Sequence, residues 1–355
     1  MTGTALLCRL DSDGDVLLSG PAVRAVAARA ARVVLLCGPR GEQAARLLPG
    51  VDDVLVWRCP WIDADPPPVE RADVMALVER LQAVGAERAL ILTSFHQSPL
   101  PTALLLRLAG VPWVGATCDD YPGSLLDLRH RLPDAGLHEV ERMLALAAAA
   151  GFPLPEGDDG ALALRRPLPA LSHLVDRLAG PLANPGPYVV LHPGASVPAR
   201  AAGPARCAAI AAALAGAGRR VVVTGGPGER ELTRTVASAA PGAVDLGGRT
   251  TLAELAAVIA AADVVVVGNT GPAHLAAAVG TPVVSLFAPT VPAERWRPWR
   301  ARHQLLGDQH AACAGSRATV CPVPGHPCLD VDPHDVVAAV SRLAGAPASA
   351  LEVSR

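Results

Sequence analysis

ADVVVVGNTGPAHLAAAVGTPVVSLFAP, residues 262–289, changes from one apolar pattern to another and back again. Four consecutive valines, Val264 to Val267, have the character of a short strand buried on both faces. Gly268-Asn269-Thr270-Gly271 breaks the run, and Pro272 stands where a first helical turn begins. Residues 273–279 favour helix, Gly280-Thr281-Pro282 ends it, and residues 283–287 read as the next strand. A strand, a glycine turn, a helix and a strand in that order point several backbone N–H groups off the helix start. Such amides, with the positive end of the helix, suit a phosphate or pyrophosphate. An ordinary βαβ unit with a glycine-cushioned turn has the same spacing, so the segment fixes the local fold before it fixes a ligand.

The same alternation continues on either side. Downstream of residue 187 the strands are predicted at 188–192 and 220–224, with turns at 193–196 and 225–230. Helices follow at 205–217, 252–261 and 334–343, and Thr251 and Glu254 have capping-box spacing at the second of these. In the first half, strands are predicted at 5–10, 33–37, 54–57, 89–93 and 113–115. Helical stretches fall at 16–18 continuing through 21–31, at 74–84 and 100–109, and at 136–150 with His138, Glu141 and Arg142. Strands alternating with helices imply parallel sheets covered on both faces. Residues 180–187, GPLANPGP, have linker composition and divide the chain into domains 1–182 and 187–345. The expectation is an α/β protein of two Rossmann-like, doubly wound domains facing across a cleft, with ligands beyond the carboxyl ends of the strands.

Composition narrows the function. The chain has 355 residues, enough for two cores, and is 51% hydrophobic, yet no apolar run is long enough for a membrane span. The N-terminus has no basic segment ahead of a sustained apolar one, so a soluble cytoplasmic protein is expected. Net charge is −2 without blocks of one sign, which argues against nucleic acid as a partner. All 31 basic residues are arginine. A P-loop lysine and a Schiff-base lysine are therefore excluded, and any cation facing a phosphate is Arg or His. No G-x-G-x-x-G follows the strand at 5–10 or the one at 188–192, which disfavours a dinucleotide oxidoreductase.

Asp11-Ser12-Asp13-Gly14-Asp15 is the sharpest local cluster. An EF-hand loop needs Gly at its sixth position and an acid at its twelfth; here these are Val16 and Ala22. Two enzymatic readings remain beside a solvated acidic turn. Asp11 and Asp13 have the D-x-D spacing of a haloacid-dehalogenase-type, magnesium-dependent phosphatase, although that type usually has a later lysine. Alternatively Asp15, directly after Gly14 at a helix start, is a general base for an acceptor hydroxyl. Farther along, His310, Cys313, Cys321, His326 and Cys328 form a late cluster whose spacings match no common zinc ribbon or finger. A zinc knuckle, a redox-labile thiol pair and plain loop cysteines all stay open.

Four segments together resemble glycosyltransferase family 9, the ADP-heptose:lipopolysaccharide heptosyltransferases and their relatives. They are RLDSDGDVLLSGPA from Arg9, LHPGAS from Leu191, VTGGPGERE from Val223 and GNTGPAHLAAAVGTP from Gly268, in the family's order. The resemblance implies a GT-B architecture and an inverting transfer without metal or cofactor. It implies a nucleotide-sugar donor such as ADP-heptose and a glycan, lipid-linked or small-molecule acceptor, with peripheral membrane association as a further implication. Asp15 falls on the family's base position, and Arg200 on the position of the cation that meets the donor phosphates. Gly194, Ser196, Gly225, Glu229, Asn269, Thr270, Gly271 and His274 fall on the donor side; Asp13, Gly14 and His96 fall on the acceptor side. His274 also reads as a helix histidine packed on the neighbouring strand. A non-catalytic nucleotide-sugar binder would carry the same donor residues. Relatives usually have Asp where this chain has Asn269, and an aromatic and a proline where it has Ala202 and Gly203.

Overall fold

The computed structural model describes residues 3–132, 136–172 and 187–344. The chain forms two compact units, Met1–Arg166 and Pro167–Arg355. The linker expected at 180–187 lies almost wholly outside the described residues.

The first unit holds a six-stranded parallel sheet built from β1 (Thr4–Arg9), β2 (Arg32–Cys37), β3 (Asp53–Val56), β4 (Arg88–Ile91), β5 (Trp113–Thr117) and β6 (Leu128–His130). Their order is β3-β2-β1-β4-β5-β6. Leu6, Cys8, Val34, Leu36, Ile91 and Val114 line one face of this sheet. Because side chains alternate along a strand, Leu7 and Arg9 belong to the opposite face. Both are fully buried.

The second unit repeats the plan with β7 (Tyr188–His192), β8 (Arg220–Val223), β9 (Val244–Asp245), β10 (Val264–Gly268), β11 (Val283–Leu286) and β12 (His303–Leu306). The order is β12-β11-β10-β7-β8-β9, all parallel. The four valines of β10 are completely buried, as their unbroken apolar run predicts for a central parallel strand. In each unit the chain reverses direction across the sheet between the first and fourth strands: between β1 and β4, and between β7 and β10. Those are the topological switch points where crevices open.

Three strands were not foreseen: β6, β9 and β12. All three are edge strands of two to four residues, and β6 and β12 include polar residues such as Arg129, His130, His303 and Gln304. Edges are short and half-polar because they bury only part of their surface. Helix bounds also moved. The helix expected from residue 16 through 31 is two helices, Asp13–Leu18 and Gly20–Ala27, separated at Ser19 because Pro21 supplies no amide to continue the ladder. The helix expected from 136 begins at Glu139, because His138 is its cap: its Nδ1 accepts the Val140 amide at 3.2 Å.

Candidate active site

In the first unit, β1 ends in Arg9-Leu10-Asp11 and the chain turns at once into the helix Asp13–Leu18. Asp15 therefore sits in the first helical turn, where the positive end of the helix favours a carboxylate. Its two oxygens are both held. Arg9 Nη2 donates to Oδ1 at 3.0 Å, and Ser12 Oγ donates to Oδ2 at 2.8 Å. The Asp15 side chain is 20% exposed, so it still meets solvent.

Asp11 lies beside it but is differently used. Gln97 Nε2 donates to Asp11 Oδ1 at 2.5 Å, and Arg9 Nε is 3.0 Å from Oδ2. Burial outweighs the Arg9 charge and, with the like charge of Asp15, pushes Asp11 up to about 6. Asp13 points elsewhere: its Oδ1 accepts the Ala44 amide at 3.0 Å, and burial pushes it up to about 6 against the attraction of Arg40. The like charge that helps raise Asp11 is that of Asp15. Gly14 is buried in the same turn, whereas His96 is exposed and edge-on to Phe95 at 5.2 Å. From the loop of His96, the residues that reach the acidic cluster are Ser94 and Gln97.

In the second unit, the turn after β7 packs against the turn after β8. A Cβ at Gly194 would lie 1.9 Å from Glu229 Oε1, so only glycine admits the Glu229 carboxylate there. Glu229 Oε2 accepts the Gly226 amide at 2.7 Å and lies 3.8 Å from His192 Nε2. His192 is buried, and burial holds its pKa below the ordinary histidine value although Glu229 opposes this. At neutral pH it is an uncharged ring whose Nδ1 pairs with Thr224 Oγ1 at 3.0 Å. Ser196 is exposed, and Gly225, two residues past the end of β8, is buried.

Arg200 ends the short 3-10 turn Pro198–Arg200. Its backbone carbonyl lies against Gly268, the last residue of β10: a Cβ there would stand 2.6 Å from the Arg200 oxygen. The Arg200 loop is therefore seated directly on the glycine turn that precedes the helix Gly271–Val279. Within that turn the two expected amides part company. The Thr270 amide already donates to the Gly268 carbonyl at 2.9 Å. Gly271 stands at the first helical position, where an amide has no intrahelical acceptor. Asn269 is also committed: Nδ2 donates to Ala288 O at 3.3 Å, and Oδ1 accepts the Ala288 amide at 3.2 Å. His274 is buried in the same helix, in keeping with the packed-histidine alternative. A cavity of about 400 Å³ in this unit is lined by Gly203, Arg206, Gly325, His326, Leu329 and Asp330 among others, and by none of the residues expected on the donor side.

The late cluster does not assemble as a metal site. Among the described residues no group of three or more His, Cys, Asp or Glu side chains is placed to hold an ion. Cys313 and Cys328 are buried, and Cys328 is pushed up to about 12 by burial and by its contact with the Cys313 thiol. No described helix is long and apolar enough to cross a membrane.

Sequence reasoning missed Arg9, Ser94 and His192. Arg9 and His192 stand inside two of the quoted segments, each at the last position of a central strand.

Residues 74–325 match glycosyltransferase family 9 (heptosyltransferase). Over 116 residues the chain is 37% identical to lipopolysaccharide heptosyltransferase 3 of Escherichia coli, an alignment spanning 32% of this chain and 34% of that protein. The fold is similar to that of E. coli ADP-heptose lps heptosyltransferase II, with a TM-score of 0.74 at 20% identity over 97% of this chain and 98% of the other. It is also similar to E. coli heptosyltransferase WaaC with ADP, with a TM-score of 0.68 at 20% identity over 96% and 99%. Both likenesses support the GT-B architecture.

Proposed function

Because this chain belongs to glycosyltransferase family 9, we propose that it transfers a heptose from ADP-heptose to an acceptor hydroxyl, inverting the anomeric carbon. The donor assignment rests on the relatives, one an ADP-heptose enzyme and one bound to ADP. The observation that carries the reaction type is the Asp15 carboxylate, solvent-accessible and fixed through both oxygens at the end of β1. Asp15 takes the proton of the acceptor hydroxyl as that oxygen attacks the anomeric carbon. The bond from that carbon to the β-phosphate oxygen breaks, and ADP leaves with the electron pair.

Charge accumulating on ADP is met by the Arg200 guanidinium and the Gly271 amide, both of which favour an anion without a proton transfer. Gly194, Ser196 and Gly225 form the turns against which the nucleotide lies, and Glu229 accepts hydrogen bonds from the ribose hydroxyls. Asn269 acts by holding Ala288 and the end of β11, rather than as a charged partner of the sugar. His96 and Gln97 face the acceptor, while Asp13, whose carboxylate accepts the Ala44 amide, and buried Gly14 shape the turn that carries Asp15. The phosphatase alternative lacks support: the family model and the curated relative that match the chain are those of heptosyltransferases.

The test is ADP release from ADP-heptose in the presence of a hydroxyl acceptor panel, with Asp15→Asn alongside. General-base removal costs about 10²–10⁴-fold. The variant is expected to lose at least about a hundredfold in kcat while ADP still raises its melting temperature as it does for the parent. Undiminished turnover in Asp15→Asn removes the base assignment. Absence of any ADP-dependent stabilisation removes the donor assignment, and a donor complex that no acceptor turns over points to the non-catalytic binder.

A further inference from the structure

We propose that Arg9 is the positioning residue of the Asp15 base, aiming the carboxylate from beneath and being held in turn by an ionic network in the first unit. The inference rests on the Asp15 reading above and extends it to residues that no motif marks as functional.

Arginine is almost never fully buried unless its donors are paired. Arg9 is 0% exposed, and its guanidinium is spread over three segments. Nη1 donates to the Leu92 carbonyl at 2.7 Å, and Nη2 donates to Ser94 Oγ at 2.8 Å and to Asp15 Oδ1 at 3.0 Å. Nε lies 3.0 Å from Asp11 Oδ2. One planar group thus ties the end of β1 to the segment after β4, across the switch point, and to the first turn of the helix that presents Asp15. Behind it, fully buried Glu139 acts electrostatically on Arg9 and lies 3.4 Å from Arg142 Nε. The charged groups around Asp15 are therefore Arg9 and Asp11 from β1 and its exit, and Glu139 with Arg142 from the helix Glu139–Ala149. Asp13 is next along its own turn, turned toward Ala44 and Arg40.

A role limited to stability is a poor account of this arrangement. Replacing buried ion pairs by packed apolar groups is often neutral or favourable, so a buried arginine among three carboxylates is a costly way to hold a fold. What it supplies that an apolar side chain cannot is a fixed direction for Asp15 Oδ1, with Ser12 Oγ fixing the other oxygen. The planar fork gives that direction, and an opposite charge at hydrogen-bond distance favours the ionised form of a carboxylate over the neutral one.

Charge and direction are separable by substitution. Arg9→Lys keeps the charge and loses the fork: kcat is expected to fall about tenfold or more, with the ADP-heptose KM within about twofold and the pH profile in place. Arg9→Met loses both: the acid limb of kcat/KM is expected to move up by about one pH unit or more, since an adjacent opposite charge displaces a carboxylate by about one to three units. A purely structural role lowers activity without moving that limb. Ser12→Ala, which leaves the buried network intact, is expected to lower kcat several-fold at constant donor KM. Arg9→Lys combined with Asp15→Asn should lose nothing beyond Asp15→Asn alone. If Arg9→Met does not fold, Arg9→Lys and Ser12→Ala decide. Parental kcat in both of these, with Asp15→Asn still inactive, overturns the Arg9 proposal and leaves the base standing. Activity retained in Asp15→Asn overturns the base itself.

Discussion

Gly268→Ala tests whether the Arg200 loop is built onto the glycine turn. The new Cβ would stand 2.6 Å from the Arg200 carbonyl oxygen, roughly 0.8 Å inside ordinary contact at 3.4 Å. The obstacle is backbone, so no rotamer change relieves it. Gly268 ends a fully buried strand, whereas Arg200 ends a three-residue turn, so the Arg200 segment is the part that moves. Overpacking of this size costs about 1–3 kcal/mol in stability. For function the displacement matters more: a misplacement of about 1 Å in a positioning group can cost on the order of a hundredfold. Gly203→Ala is the control, because nothing lies within 4 Å of a Cβ there and the residue belongs to the same loop. Urea denaturation gives the stability change, ADP titration calorimetry gives donor-side affinity, and steady-state ADP release gives kcat/KM. Gly268→Ala is expected to weaken ADP by at least about tenfold, and Gly203→Ala by less than about twofold. Parental ADP affinity in Gly268→Ala refutes the argument that this glycine seats the phosphate-facing arginine.

Gly194→Ala drives a Cβ into the Glu229 carboxylate; ADP should bind severalfold more weakly with a smaller loss of stability, read by calorimetry and urea titration. Asp13→Asn keeps an oxygen for the Ala44 amide and removes a carboxyl that burial raises to about 6. A carboxyl raised in the folded state supports folding below about pH 4 and loses that contribution as pH rises through about 6. The variant should therefore be more stable than the parent at pH 7.5 by roughly 1–2 kcal/mol, with the difference vanishing near pH 4. Asn269→Asp replaces the donor to Ala288 O by an acceptor, so stability at neutral pH should fall by about 1–3 kcal/mol, measured by urea midpoint. Of the eight cysteines only Cys321 is not buried, and brief alkylation followed by peptide mass spectrometry should find it modified first.

Much of the architecture was legible because central parallel strands are unbroken apolar runs; β1, β7 and β10 show this plainly. The edge strands β6, β9 and β12 were not, since pairing on one side leaves little periodic signature in two to four residues. The placement of Asp15 in a first helical turn was legible because Gly14 and a helix start frame it. Arg9 was not, because a charged residue closing an apolar strand looks like a solvated end until the Leu92 carbonyl and Ser94 come from 83 and 85 residues away to meet it. A separation of 19 residues likewise hid the use of Asn269, whose partner is the backbone of Ala288. The glycine turn at 268–271 was half legible: composition marks the turn, while the Thr270 bond to Gly268 that takes one amide out of play is a matter of dihedral angles.

The order of strands is the same in both units, and so is the address at which each places its polar groups. One copy fills that address with carboxylates over a buried cation; the other fills it with amides and an arginine. Two halves with one blueprint and opposite polarity can drift independently: on the proposed reaction, choice of leaving group would be written in one and choice of recipient in the other. A lineage built this way can exchange one half's preference for a new one and keep the other half's chemistry unrevised.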